Sequence, residues 1–177
     1  MEARMMTEPE KRLRRCCFTG HRPEKLGCTE RAAAYALEAT IREAYASGYR
    51  TFLTGMARGV DIWAAEIVLR EREAHPDIHL ICALPHPDFQ ARWALHWQKR
   101  YEAILADADL VKTICPSYCI GAYQRRNEWL VDHSSLVIAF FTGQPGGTAN
   151  TIAYARKQGV SVHVIGGENA RCVEYLC

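Results

Sequence analysis

Short apolar runs alternate with longer amphipathic stretches along almost the whole chain, and this alternation constrains the fold more than any other feature. "RCCFTG" ends at Gly20 and is followed by "TERAAAYALEATIREAYASG". There Ala34, Leu37, Ile41, Ala44 and Tyr45 recur at helical spacing, with Thr29 placed to cap the start and Gly48 to end it. "YRTFLTG", "IHLICALP", "DLVKTIC", "SLVIAFF" and "VSVHVIG" read as further strands. The stretches between them read as helices over 61–73, 88–108, 124–134 and 149–159, the first of these with Asp61 as its N-cap.

Strands that alternate with helices need a helix for each return, so they predict a parallel sheet covered on both faces, with right-handed crossovers. The expected class is therefore α/β: a doubly wound, mainly parallel, Rossmann-like three-layer sandwich. Residues 15–177 form one domain in this reading, and residues 1–14 a polar, flexible arm.

The totals exclude little else. A formal charge of +2 on 177 residues does not announce a nucleic-acid or membrane-surface binder. No apolar stretch approaches the length of a bilayer span. "MEARMMTEPEKRLRR" mixes charges of both signs and lacks the apolar centre of a secretory signal. The eight cysteines are scattered, and Cys16 and Cys82 sit within strand-like runs, where a thiol behaves as a small hydrophobe. Reduced thiols and a cytoplasmic location are the expectation. Cys115 and Cys119, even with His133, lack the second pair that structural zinc requires, so no metal site is expected.

In a sheet of this kind ligands bind beyond the carboxyl ends of the strands. The segments there are "TGHRPEKLG", "TGMARGVD", "LPHPDFQ", "CPSYCIGAYQRRN" and "TGQPGGTANT". The glycine, arginine and histidine signals thus gather at one edge. In two of these turns, Gly55 and Gly59 precede one helix, and Gly146 and Gly147 another. Helix-entry amides and the helix dipole attract anions, glycine lets the backbone come close, and Thr148 can donate its hydroxyl. Neither G-x-G-x-x-G after a strand nor a P-loop motif is present, which argues against a conventional NAD dehydrogenase or P-loop ATPase.

"TGHRP", "TGMARGVDIWAAE", the pair Gln90 and Trp93, "RRNEWLVDHSSLVIAFF" and "GGTANTIAYA" occur in this order between about residues 16 and 165. This pattern resembles the YpsA-like family of the SLOG superfamily, the Rossmann-like group that also holds DprA and the LOG phosphoribohydrolases. The resemblance implies a nucleotide or nucleotide-derived ligand over the glycine turns, and homo-oligomers are common in the superfamily. LOG enzymes carry P-G-G-x-G-T-x-x-E. Aligned on Gly147 and Thr148, the position of that glutamate is Thr151 here. A threonine hydroxyl cannot do a carboxylate's acid–base work at neutral pH. The departure weighs against LOG-type hydrolysis.

The candidate ligand residues follow from the edge and from the motifs. Arg22 can clamp a phosphate, with Gly20 and His21 beside it. Arg58 follows the second strand, and Asp61 can also reach a ribose hydroxyl. Gln90 and Trp93 share a helix face with Trp97 in this reading and can contact a base, while Trp97 is core. Arg126 and Asn127 open the next helix, and Tyr118 sits in a loop long enough to act as a partial lid. Glu66 lies in an apolar helix and needs a partner. Either it pairs with an arginine such as Arg22 or Arg58, or it is the carboxylate available for chemistry.

The leading expectation is a sensor or regulator that binds an ADP-ribose- or NAD-like molecule. One alternative is an N-glycosidic hydrolase that uses Glu66. Another is DprA-like binding of single-stranded nucleic acid through Lys11, Arg12, Arg14, Arg15, Arg125 and Arg126.

Overall fold

The computed structural model describes residues 5–166. The six strands are β1 (Arg15–Gly20), β2 (Thr51–Thr54), β3 (His79–Leu84), β4 (Leu110–Thr113), β5 (Leu136–Phe140) and β6 (Ser161–Ile165). They form one sheet in the order β4-β3-β2-β1-β5-β6, and every pairing is parallel. The helices are α1 (Glu8–Arg12), α2 (Glu30–Ala46), α3 (Val60–Ala74), α4 (Leu95–Asp107), α5 (Ala122–Asp132) and α6 (Gly147–Lys157).

The two-residue period of the strands divides the core. Cys16, Phe18, Phe52, Leu80 and Ile138 face a layer that includes Leu37 of α2, Ile62 of α3 and Ile104 of α4. Cys17, Leu53, Ala83 and Val137 face the other way, toward Leu130 of α5 and Ile152 of α6. The result is the expected doubly wound three-layer sandwich. Strand order runs outward from β1 through β2 to β4 on one side and through β5 to β6 on the other. The switch point therefore lies between β1 and β5, whose last residues Gly20 and Phe140 are in register.

Helix α2 starts as its sequence predicts, with the Thr29 hydroxyl accepting from the Ala32 amide at 3.2 Å. Two segments differ from expectation. Helix α3 is capped by Gly59 at φ 91, not by Asp61, which lies inside the first turn. Residues 88–94 do not extend α4. Asp88 takes a left-handed φ of 57, and Ala94 is extended at φ -60 and ψ 146, so the helix begins only at Leu95. Gln90 and Trp93 therefore do not share a helix face with Trp97, which packs against Trp63 in the core. Within the polar arm, Glu8–Arg12 forms a helical turn. The Thr7 amide donates to Glu10 at 2.8 Å, and Arg12 Nε donates to the Asp132 carbonyl at 2.9 Å. No helix among the described residues is long and apolar enough to cross a membrane.

Candidate functional site

A hollow of about 420 Å³ opens at the carboxyl ends of the strands, over the switch point. The turn after β1 lines it with Gly20, His21 and Arg22, and the turn after β2 with Ala57, Arg58 and Asp61. The turn after β5 contributes Gly146, Gly147 and Thr148. The start of α5 adds Arg126 and Asn127, and the segment before α4 adds Trp93. The two glycine turns thus meet at one cavity.

The two turns differ in what they offer. Gly146 sits at φ 139 and caps α6, which has no side-chain cap. A side chain added at Gly146 would meet nothing within 4 Å, and at Gly147 only the Asn127 amide nitrogen at 3.9 Å. The first amides of an α-helix have no intrahelical acceptor. At α6 the space beside the capping glycines is open, an arrangement that suits an anion. The turn leading into α3 carries its own acid: the Asp61 carboxylate accepts from the Ala57 amide at 3.2 Å.

The other glycines serve packing. A Cβ on Gly20 would fall 2.5 Å from Val60, and one on Gly59 2.8 Å from Pro23 and 3.1 Å from the His21 carbonyl. At Gly55 it would lie 2.8 Å from the Arg126 guanidinium, whose Nη1 donates to the Gly55 carbonyl. These glycines let the turns after β1 and β2 pack against each other and against Arg126.

The electrostatics of the hollow favour an anion. Arg22, Lys25, Arg58 and Arg126 line it, and Asp61 is the carboxylate among the described lining residues. Arg58 is paired with Glu24 at 3.1 Å. Arg126 is buried, donates from Nε to Asn127 Oδ1 at 3.0 Å, and lies over the Tyr123 ring at 5.7 Å. Burial lowers its pKa, Asp61 and Tyr123 oppose that, and the nearby charge of Arg22 adds to it. Burial pushes Asp61 up to about 6, against the attraction of Arg126 and the amides of Ala57 and Gly55. His21 is 5% exposed, stacks on Phe141 at 5.5 Å, and leaves its buried Nε2 without a hydrogen-bond partner. Burial and then the charge of Lys25 lower the pKa of His21. A neutral or charged His21 can donate from Nε2 to a phosphate oxygen.

Five sequence candidates do not line the hollow. Gly55 and Gly59 stand behind its wall, as described. Gln90 lies outside it, with a buried Oε1 that lacks a partner. Thr151 Oγ1 donates back to the Gly147 carbonyl at 2.8 Å, so its hydroxyl is spent inside α6. Glu66 pairs with neither Arg22 nor Arg58. Both its oxygens accept from Arg100, at 2.7 and 2.6 Å, and Arg100 also binds Glu30. Among the described residues no cluster could hold a metal ion. Cys115 and Cys119 instead face each other with sulfurs 3.5 Å apart.

Sequence reasoning missed Phe89, Tyr123 and Lys25, all of which line the hollow. The signal was present: Phe89 and Tyr123 are aromatic residues in segments that follow a strand's carboxyl end.

The YpsA family, described as the YspA SLOG family, matches residues 16–165. A UPF0398 protein of Halalkalibacterium halodurans is 31% identical over 150 residues, spanning 80% of this chain and 79% of that protein. The uncharacterized SPbeta prophage-derived protein YoqJ of Bacillus subtilis is 30% identical over 118 residues, spanning 60% of this chain and 69% of its own. Among solved structures, DprA from Streptococcus pneumoniae superposes with a TM-score of 0.66 at 16% identity, covering 89% of this chain. This chain spans only 52% of that protein. DprA from Helicobacter pylori, described with a unique single-stranded DNA binding mode, gives 0.61 at 20% identity, covering 92% of this chain and 72% of its own. These two likenesses show the shared Rossmann-like fold. By its family match over residues 16–165, the chain belongs to the YpsA family of SLOG proteins.

Proposed function

We propose that the hollow binds a nucleotide or nucleotide-derived ligand of the ADP-ribose or NAD type, and that the protein acts in the cytoplasm as a sensor or regulator. The observation that carries this reading is His21. His21 lines the same cavity as the amino end of α6, and its buried Nε2 has no partner. A buried polar atom without a partner costs on the order of 1–3 kcal/mol, which a bound phosphate would offset. The phosphates fit over Gly146 and Gly147, with Arg22 and Arg126 as cations and the Thr148 hydroxyl as a donor. Phe89, Trp93 and Tyr123 form the aromatic wall against which a base stacks.

Binding without turnover is the better reading because the hollow offers little acid–base chemistry. Its carboxylate, Asp61, is tied to the turn after β2, and Glu66 is held elsewhere by Arg100. Titration calorimetry with ADP-ribose, NAD and AMP tests the proposal. Saturable binding is expected, and Arg22→Ala should weaken it by at least about tenfold. Folded protein that binds none of the three refutes it.

Single-stranded DNA is the second reading, favoured by the fold shared with DprA. Its weakness is the placement of the basic run. Lys11 and Arg15 both pair with Glu8, at 3.2 and 2.9 Å. That segment leads into the start of β1, the edge of the sheet opposite the hollow. DNA binding would show as an affinity for oligothymidine that falls steeply with salt. No such binding at low salt removes this reading.

A further inference from the structure

Beside the hollow lies a second recess of about 500 Å³, walled by His86, Phe89, Trp93, Tyr118 and Tyr123. Phe89, Trp93 and Tyr123 line both spaces, so the two are neighbours with a common aromatic wall. Each space is in the range of about 300–1,000 Å³ usual for a small-molecule site.

The second recess is built for a flat ring. His86 stands edge-on to Tyr118 at 5.3 Å and 83°, and to Tyr123 at 5.9 Å and 88°. Tyr118 is 69% exposed and Tyr123 42%, so much of their ring surface is uncovered. The fold does not need the Tyr118 ring, which belongs to neither core cluster and sits in the connection between β4 and α5. His86 Nδ1 lies 2.7 Å from the Pro87 carbonyl. A carbonyl only accepts, so Nδ1 carries the hydrogen and the neutral ring keeps Nε2 as an acceptor. An exocyclic amino group of a base is a matching donor. Arg92 and Asp88 add one charge of each sign to the same recess.

We propose that this recess is a second ring-binding subsite, and that the ligand carries two nucleobase-like rings joined through phosphate. The inference rests on the nucleotide reading of the first hollow and adds a second subsite, which selects two-ring molecules over ADP-ribose. One ring stacks on the Phe89 and Trp93 side of the first hollow, the phosphates lie over α6, and the second ring stacks on Tyr118. Stacking of a base on an aromatic side chain is sequence-tolerant and contributes to affinity ring by ring.

Calorimetry with the full chain separates the two claims. The probes are AMP and ADP-ribose, with one base, diadenosine pyrophosphate, with two bases on a pyrophosphate, and the diester ApA, with two bases on a phosphodiester. At least one two-base probe should bind about tenfold or more tightly than ADP-ribose, and which one gains identifies the linkage. Tyr118→Ala should abolish that gain, and Tyr118→Phe, which keeps the ring, should retain it. Tyr118 is exposed, so neither change threatens folding. If ADP-ribose binds and neither two-base probe gains, the second subsite is refuted and the nucleotide reading stands. A gain that survives Tyr118→Ala also refutes it. If no probe binds, both fail.

Discussion

Asp61 carries two demands that pull against each other. Its carboxylate holds the turn after β2 through the Ala57 amide, and it does so almost out of reach of water, at 6% exposure. Burial raises its pKa from an ordinary 3.8 to about 6. The folded state therefore keeps the proton at pH values where the unfolded chain has lost it. Stability attributable to Asp61 is fully present below the unfolded value of 3.8 and is lost as pH rises through about 6, because only the unfolded chain gains by ionising in that window. Above that range both states are ionised and the cost is complete, on the order of 3 kcal/mol for a change of this size. Asp61→Asn removes the titration while keeping an acceptor for Ala57. Urea unfolding of the two proteins should show the wild type losing stability relative to the variant between pH 4 and 7. A flat difference, or one of opposite slope, contradicts the burial of this group.

At the scale of elements, the turns around the hollow contain glycines that look alike in sequence and differ in what they do. Gly20 and Gly59 are places where two turns touch, whereas Gly147 faces open space. Gly20→Ala and Gly59→Ala should each cost about 1–3 kcal/mol from overpacking, and Gly59 adds strain at φ 91. Gly147→Ala should leave the melting temperature nearly unchanged, since alanine suits a helix start better than glycine. Gly147→Glu should also fold, yet lose ADP-ribose binding, because its carboxylate takes the anion's place at the end of α6. Equal loss of stability at all three glycines would erase the distinction between packing and site. The strands and most helices are legible in the sequence because a period of two and a period near four are local properties. The start of α4 is not. Residues 88–94 have no strong breaker between Asp88 and Ala94, and what holds them off the helix is Phe89, buried among Trp93, Tyr101 and Tyr123. The hollow's edge could be read from strand order, but the aromatic wall needed that tertiary contact.

Across the whole molecule, one face of the sheet carries α2, α3 and α4, and a single arginine links them. Arg100 of α4 binds Glu30 of α2 at 2.6 Å and Glu66 of α3 at 2.6 Å, and lies over Trp97 at 4.9 Å. Local sequence gives no hint of this, since Glu66 and Arg100 are 34 positions apart. An apolar helix with one glutamate looks the same whether the acid is a tie or a catalyst. The difference lies in which end of the sheet it reaches, and Glu66 does not reach the hollow. Glu66→Gln keeps the shape and removes the charge. Since the network is part-exposed, the loss should be modest, about 1 kcal/mol, or roughly 2–4 °C in melting temperature for a chain of this size. ADP-ribose affinity should not change. A hydrolase that used Glu66 would behave in the opposite way, keeping its stability while losing release of free base from nucleoside monophosphates. Measuring melting temperature, affinity and base release on the same Glu66→Gln preparation therefore decides between a tie among three helices and an acid–base group, and a variant with unchanged melting and altered binding would place Glu66 back at the site.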